Sequence, residues 1–206
     1  GTTASGQFST AFGNNTQATQ FGSTAFGFNT NSSGPNSTAT GNNTSIQSQN
    51  SFTYGNTNNI DNSSDNSMAG GSTNNILSSQ SAVVTGQGNT LNGADRSNVF
   101  GLGNSLTADN AMVSGSNNTS AGDNSITFGL GNSLGIGSSN TILGGSNNLN
   151  VFANDGAVFG FTQTVGSARV LVSGQSHQVL NADDAAVFGQ GNQVSAQAGM
   201  TTGQGN

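Results

Sequence analysis

The chain has no cysteine, lysine, glutamate or tryptophan, and it has a single proline and a single histidine among 206 residues. Without cysteine it can form neither a disulfide nor a thiolate metal site. Arg96 and Arg169 are the only cationic side chains against eight aspartates, so the net charge of −6 disfavours binding to nucleic acid or to an anionic membrane. Because no apolar run approaches the length of a membrane span, we expect no membrane insertion.

A glycine recurs every 14 to 16 residues through the whole chain. This interval fits two short strands and two turns, which make one coil of a β-solenoid, and it is too short for a helical pair or a propeller blade. The sequence therefore predicts an all-β solenoid of about fourteen coils, forming a single rod over residues 1–206 and representing a mature segment or fragment of a fibre. The marker glycines are Gly13, Gly27, Gly41, Gly55, Gly71, Gly86, Gly101, Gly115, Gly129, Gly145, Gly160, Gly174, Gly189 and Gly203.

Two apolar positions come directly before the marker glycine, as at Val99 and Phe100. Because neighbouring side chains of a strand point to opposite faces, one row fills the interior and the other covers the outside. Burial of one phenyl ring contributes about 1.5–3 kcal/mol, so an outer aromatic row favours a symmetric homo-oligomer. The predicted oligomer interface consists of Phe12, Phe26, Tyr54, Phe100, Phe128, Phe159 and Phe188. The alternative is a monomer whose rings fold into the interior.

Asparagine recurs two or three residues after the marker glycine, where the chain must turn. Asparagine tolerates left-handed backbone geometry, and stacked asparagines can form hydrogen bonds between adjacent coils. Gln163 and His177 take this position in two coils. The predicted turn ladder includes Asn89, Asn104, Asn118, Asn132, Asn148 and Asn192.

Several segments that end in the marker glycine carry a family resemblance. They lie at residues 9–13, 23–27, 36–41 and 124–129, and the first two read Ser-Thr-Ala-Phe-Gly. These segments resemble the repeated Asn-Ser-Val-Ala-Ile-Gly phrase in the YadA-like heads of trimeric autotransporter adhesins, and similar rolls occur in phage tail fibres. The resemblance implies a left-handed parallel β-roll, with three rolls side by side.

A second resemblance concerns residues 89–93, 113–118 and 146–150, which are similar to the repeat of grass ice-binding β-rolls. That family presents flat rows of threonine, serine and valine to ice. The corresponding rows here are irregular, and phenylalanine interrupts a flat hydroxyl face. Ice binding is therefore one alternative function, and self-polymerisation into an extracellular filament is another.

The residues with potential chemistry lack partners in the sequence. His177 has no acid at a spacing that completes a catalytic triad, so we interpret it as a solvated turn residue. The phrase Gly-Leu-Gly at residues 101–103 and 129–131 recurs with the repeat and has no following helix, which indicates turn glycines and no dinucleotide site.

Aspartate recurs six residues before a marker glycine, and Asp95, Asp109 and Asp123 do so in three consecutive coils. Stacked carboxylates repel one another, and a bound Ca²⁺ would relieve that repulsion because it prefers oxygen ligands. These three residues are therefore weak candidate metal ligands. The competing interpretation is a turn-forming aspartate that bonds to its own backbone.

Together these features predict a structural and adhesive fibre segment of a bacterial surface or phage tail, located outside the cell, with no catalysis and no cofactor. Its partners would be copies of itself, in a homotrimer or a filament, and a host-surface receptor or glycan bound through the polar turns. A glycosidase, an enzyme activity found on some fibres, needs paired carboxylates in a cleft, and the repeated turns offer none.

Overall fold

The computed structural model describes residues 1–150, 154–195 and 197–206, and these residues form strands and turns without any helix. Accordingly, no helix of the described chain is long and apolar enough to cross a membrane. The chain divides into two compact units, unit 1 at Gly1–Gly103 and unit 2 at Asn104–Asn206. Each unit is a parallel β-solenoid with two strands per coil, which confirms the predicted fold class.

Every residue of unit 1 is described, and its strands alternate between very short and longer ones. They are β1 (Thr3–Ala4), β2 (Thr10–Asn14), β3 (Gln17–Ala18), β4 (Thr24–Phe28), β5 (Asn31–Ser32), β6 (Thr38–Asn42), β7 (Ser45–Ile46), β8 (Phe52–Asn56), β9 (Asn59–Ile60), β10 (Met68–Ser72), β11 (Asn75–Leu77), β12 (Val83–Gln87), β13 (Thr90–Asn92) and β14 (Asn98–Leu102).

The described part of unit 2 continues the alternation. Its strands are β15 (Ser105–Leu106), β16 (Met112–Ser116), β17 (Thr119–Ser120), β18 (Ile126–Leu130), β19 (Ser133–Leu134), β20 (Ile142–Ser146), β21 (Leu149–Asn150), β22 (Ala157–Phe161), β23 (Thr164–Gly166), β24 (Leu171–Gln175), β25 (Gln178–Leu180), β26 (Ala185–Gln190), β27 (Gln193–Val194) and β28 (Gly199–Gln204).

Within each unit, the even-numbered strands form one parallel sheet, the long-strand sheet, and the odd-numbered strands form the short-strand sheet. Marker glycines lie in register, so Gly13 pairs with Gly27 and Phe12 with Phe26. Gly27 has φ of 137°, and a Cβ at this position would overlap the carbonyl of Gly41 in the next coil. A side chain would thus prevent the close stacking of coils, which explains why this position is glycine.

The interior of each coil is narrow and receives one side chain from most of the strands. In unit 2 it contains branched aliphatic residues such as Leu134, Leu143 and Val158. In the first coils of unit 1, the equivalent buried residues are Ala25, Ser32 and Ala39, which are much smaller. Because apolar stabilisation scales with buried area, these first coils gain less from burial than the later ones.

Asparagines complete the hydrogen bonding inside the turns. The residue two after each marker glycine has positive φ, for example 54° at Asn117, and the next residue, Asn118, is buried. The Asn118 amide donates to the carbonyl oxygens of Ser114 at 3.1 Å and Gly129 at 2.9 Å, and its Oδ1 accepts the backbone N–H of Asn132 at 3.0 Å. One side chain thereby joins neighbouring coils where the backbone alone leaves polar groups unpaired.

The first three coils of unit 1 have threonine at this inward position. Thr16, Thr30 and Thr44 are buried, and their hydroxyl oxygens have no hydrogen-bond partner. In the following coil, the Asn58 amide donates to the carbonyl oxygens of Tyr54 at 2.6 Å and Gly71 at 2.9 Å. The turn ladder of unit 1 therefore begins at Asn58, and the coils before it lack its cross-links.

Replacing Thr44 by asparagine is expected to extend the ladder by one coil and stabilise unit 1. The new amide would reach the carbonyl groups of Thr40 and Gly55, and its oxygen would face the N–H of Asn58. We expect a gain of about 1 kcal/mol in the free energy of unfolding, measured by chemical denaturation. The matched control is Thr90→Asn, at an outward strand position where other coils have asparagine, and it should leave stability within about 0.5 kcal/mol. Equal effects of the two changes would contradict this account.

Candidate functional site

The outer face of the long-strand sheet is the main apolar surface of each unit. Side chains alternate along β18, where Thr127 is buried in the interior while Ile126, Phe128 and Leu130 are exposed. The same alternation places the positions three before, one before and one after the marker glycine on this outer face. Exposed large apolar residues at these positions are Phe12, Phe26, Phe28, Phe52, Tyr54 and Leu102 in unit 1, and Ile126, Phe128, Leu130, Ile142, Phe161, Leu171 and Met200 in unit 2. We call this set the apolar face.

All seven predicted interface residues point outward from the solenoid interior. Phe12, Phe26, Tyr54 and Phe128 are exposed, with 64% of Phe12 and 40% of Phe128 accessible to solvent. Phe100, Phe159 and Phe188 also lie on the outer face and are half-buried by neighbouring side chains. The alternative in which the rings fill the interior does not fit these positions, because the interior already contains the residues two before the marker glycine.

Sequence reasoning missed two further rows of this face. The position three before the marker glycine is apolar in many coils, as at Ile126, Ile142 and Leu171, and the position one after it adds Leu130 and Phe161. The available signal was the period-two alternation, since every second strand residue shares a face. Addition of these rows makes the apolar face broader than a single aromatic column.

Rings from different coils take two arrangements on the outer face of the long-strand sheet. Phe12 and Phe26, in adjacent coils, stack with their ring centroids 5.1 Å apart and their planes 12° apart. Phe128 instead lies over Gly144 of the next coil, where a Cβ would overlap the ring, and approaches Phe159 two coils away at 6.3 Å. A glycine at this position therefore gives the ring room to lie against the sheet.

In unit 2 the position before the marker glycine alternates between small and aromatic residues. Because strands pair in register, these residues form one column with an aromatic ring at every second coil. The residue types of the column therefore repeat over two coils, and at Gly144 the ring of Phe128 covers the small position. The column consists of Ser114, Phe128, Gly144, Phe159, Ser173, Phe188 and Thr202.

The six predicted ladder asparagines are all buried in the turns. Their amides bond to backbone groups, for example from Asn132 to the carbonyl oxygens of Phe128 at 2.7 Å and Gly145 at 2.9 Å. They therefore offer no side-chain surface to a partner. The turn residues that do face solvent are those two after the marker glycine, such as Asn15 and Asn29, which bond to each other at 2.6 Å. The sequence pattern did not distinguish these two adjacent positions, of which the one two after the marker glycine points outward and the next one points inward.

The interpretation of His177 as a solvated residue is wrong, because only 1% of its surface is exposed. It occupies the inward turn position, and its backbone N–H donates to Oε1 of Gln163 at 3.0 Å. Nδ1 of the imidazole lies 3.2 Å from the backbone nitrogen of Asn192, which is the contact that an asparagine oxygen makes in other coils. The ring thus replaces an asparagine in the ladder.

The aspartates lie in the turns that lead from a short strand to the next long strand. Oδ1 of Asp95 accepts the backbone N–H of Gln80 at 2.8 Å in unit 1, and Oδ1 of Asp123 accepts that of Asp109 at 3.0 Å in unit 2. These carboxylates therefore bond to the backbone of the preceding coil. Among the described residues, no three His, Cys, Asp or Glu side chains form a group that could hold a metal ion.

The ion pair between Arg169 and Asp184 joins adjacent coils in unit 2. The hydrogen bond from the Arg169 guanidinium lowers the pKa of the Asp184 carboxyl group and raises the pKa of Arg169. Because the folded state favours the ionised form of Asp184, the ion pair contributes to folding stability at pH values above the ordinary pKa of aspartate. This contribution is lost as the pH falls through the lowered pKa of Asp184. Both side chains are about half exposed, so solvent screens the pair.

Two stretches, residues 4–20 and 18–44, match the family model for the YadA head domain repeat. The first coils are thus similar to YadA head repeats. This match and the parallel β-solenoid together fit a YadA-like head, which confirms the resemblance drawn from the sequence. YadA head domains are adhesin-type structural domains of surface-exposed trimeric adhesins, generally without catalysis, so the match indicates an adhesin-like structural role. Among the curated proteins, none matches the chain.

Proposed function

We propose that the chain is a structural segment of an adhesive fibre at a bacterial or phage surface, and that it associates with copies of itself through the apolar face. The observation that carries this proposal is the face itself. Its outward rows expose six large apolar side chains in unit 1 and seven in the described part of unit 2. Contiguous apolar patches of this kind are rare on soluble monomers and mark association surfaces.

The distribution of charge supports the same conclusion. All ten aspartate and arginine side chains lie in the turns between a short strand and the next long strand, as at Asp95, Arg96 and Asp109. None of the described long strands contains a charged residue, so packing of this face against another copy would desolvate no ion. The similarity to YadA heads favours three copies in the assembly.

The first residue of each short strand in unit 1 points outward, is polar and uncharged, and would be left free by this assembly. Outward residues of the short-strand sheet in unit 1 include Gln17, Asn31, Ser45 and Asn59. Such side chains suit neutral hydrogen-bonding partners, such as a glycan or a receptor loop. In this proposal the chain carries no catalytic role, and it serves to hold these surfaces away from the cell or virion.

Light scattering coupled to size-exclusion chromatography tests the proposal. We expect a particle of three chain masses, with a narrow mass distribution across the peak. A monomer would contradict the proposal, and a monomer that shows thermal hysteresis would support ice binding instead. A mass that increases steadily with concentration would indicate an open filament.

A further inference from the structure

His177 is the only titratable side chain within the turn ladder of unit 2 among the described residues. The ladder runs from Asn148 through Gln163 and His177 to Asn192, and each backbone N–H donates to the side chain of the preceding coil. A neutral imidazole has one acceptor nitrogen and one donor nitrogen. Since the Asn192 N–H requires an acceptor, Nδ1 must carry the lone pair and Nε2 must carry the proton.

The other ring nitrogen fits this tautomer. Nε2 of His177 lies 3.3 Å from the carbonyl oxygen of Ser173, four residues earlier, and can donate to it. An asparagine amide makes the equivalent bond in other coils, as from Asn192 to Phe188 at 3.0 Å. The neutral ring thus provides both the donor and the acceptor that the ladder needs.

Protonation would remove the acceptor. An imidazolium has N–H groups at both ring nitrogens, so Nδ1–H would then point at the N–H of Asn192. Two donors would face each other, and the buried N–H of Asn192 would lose its partner. A buried polar group without a partner is costly, and a buried charge costs more.

No charged side chain of the described residues faces His177 to offset a positive charge. The side chains in the turns before and after it are Gln163 and Asn192. Arg169, Asp183 and Asp184 lie in the turns on the opposite side of the coil, between a short strand and the next long strand. The backbone N–H of Asn206 donates to the side chain of Asn192, so Asn206 lies one coil beyond Asn192 and two coils beyond His177.

We propose that His177 makes the contact between its coil and the next an acid-sensitive joint, which is closed when the imidazole is neutral and opens locally when the ring takes up a proton. This inference does not depend on self-association, because every contact involved lies inside one unit. It gives unit 2 a site whose local opening is coupled to the uptake of one proton by a buried ring.

Hydrogen exchange followed by NMR tests the joint at single amides. In the wild-type chain, we expect the exchange rate of the Asn192 backbone N–H, corrected for its intrinsic pH dependence, to rise about tenfold or more when the pH is lowered from about 7 to about 5. The backbone N–H of Asn132 is the internal control, because it donates to the side-chain oxygen of an asparagine, Asn118, in the preceding coil. Over this range Asp184 stays ionised, since its pKa is lowered by Arg169.

The matched variant is His177→Asn, which restores the residue found at this position in most coils and should therefore fold. In this variant the Asn192 amide should show no pH-dependent rise. The ¹⁵N spectrum of the histidine gives a second readout, with a proton on Nε2 alone at about pH 7. Unchanged exchange at Asn192 in the wild type, or an equal rise in His177→Asn, would overturn the proposal.

Discussion

Simultaneous replacement of Phe128 and Phe159 by serine is expected to dissociate the proposed assembly into single chains that remain folded. Each ring lies on the outer face of the long-strand sheet, and its partial exposure makes it available to a second copy. Loss of about 1 kcal/mol per ring, or about 6 kcal/mol over two rings in each of three copies, would raise the overall dissociation constant on the order of ten-thousandfold. The measurement is the particle mass by light scattering over a dilution series.

Serine is a conservative choice because Ser114 and Ser173 already occupy this position in neighbouring coils. Circular dichroism should therefore show an unchanged β-sheet spectrum. The control is Ile136→Ser, which removes a side chain that is 78% exposed but lies in a turn, away from the apolar face. If the control dissociated the particle as strongly as the double variant, or if the double variant kept the wild-type mass, the apolar face would not be the interface.

Replacement of Asn118 by threonine is expected to destabilise unit 2 by about 2–4 kcal/mol. The change removes the donors to the carbonyl groups of Ser114 and Gly129 and the acceptor for Asn132, and each buried group left unpaired costs about 1–3 kcal/mol. Threonine does not replace these bonds, because the hydroxyl oxygens of threonines at this position in unit 1 have no partner. Chemical denaturation gives the change in the free energy of unfolding.

The adjacent Asn117 provides a matched control with the same chemical change. It is exposed and has φ of 54°, and threonine occupies the equivalent position in other coils, at Thr57 and Thr73. We expect Asn117→Thr to cost about 1 kcal/mol, because a β-branched residue is strained at positive φ, and therefore clearly less than Asn118→Thr. Similar losses in both variants would show that the inward ladder contributes no more than the outward turn residues.

The repeat in the sequence was sufficient to predict the solenoid. A marker glycine at nearly constant spacing requires each coil to lie on the previous one in register, and the pairing of Gly13 with Gly27 follows from that spacing. The inward direction of residues such as Val99 was also predictable. Two neighbouring strand residues must face opposite sides, and the smaller one suits a narrow interior.

The turns were harder to predict because direction there depends on the backbone and not on alternation. A left-handed residue such as Asn117 reverses the course of the chain and turns the next side chain, Asn118, inward. The sequence shows two adjacent polar residues and gives no sign of which one is buried. For the same reason, His177 resembled an ordinary solvated turn residue.

The amino-acid sequence by itself determined the coil, its two strands and the aromatic residues on one face, because all of these follow from spacing and from strand alternation. Only the tertiary structure decided the depth of each turn residue and the way in which Phe128 lies over Gly144. These features depend on the φ angles of single turn residues and on contacts between coils fourteen or more residues apart, and no local pattern encodes them.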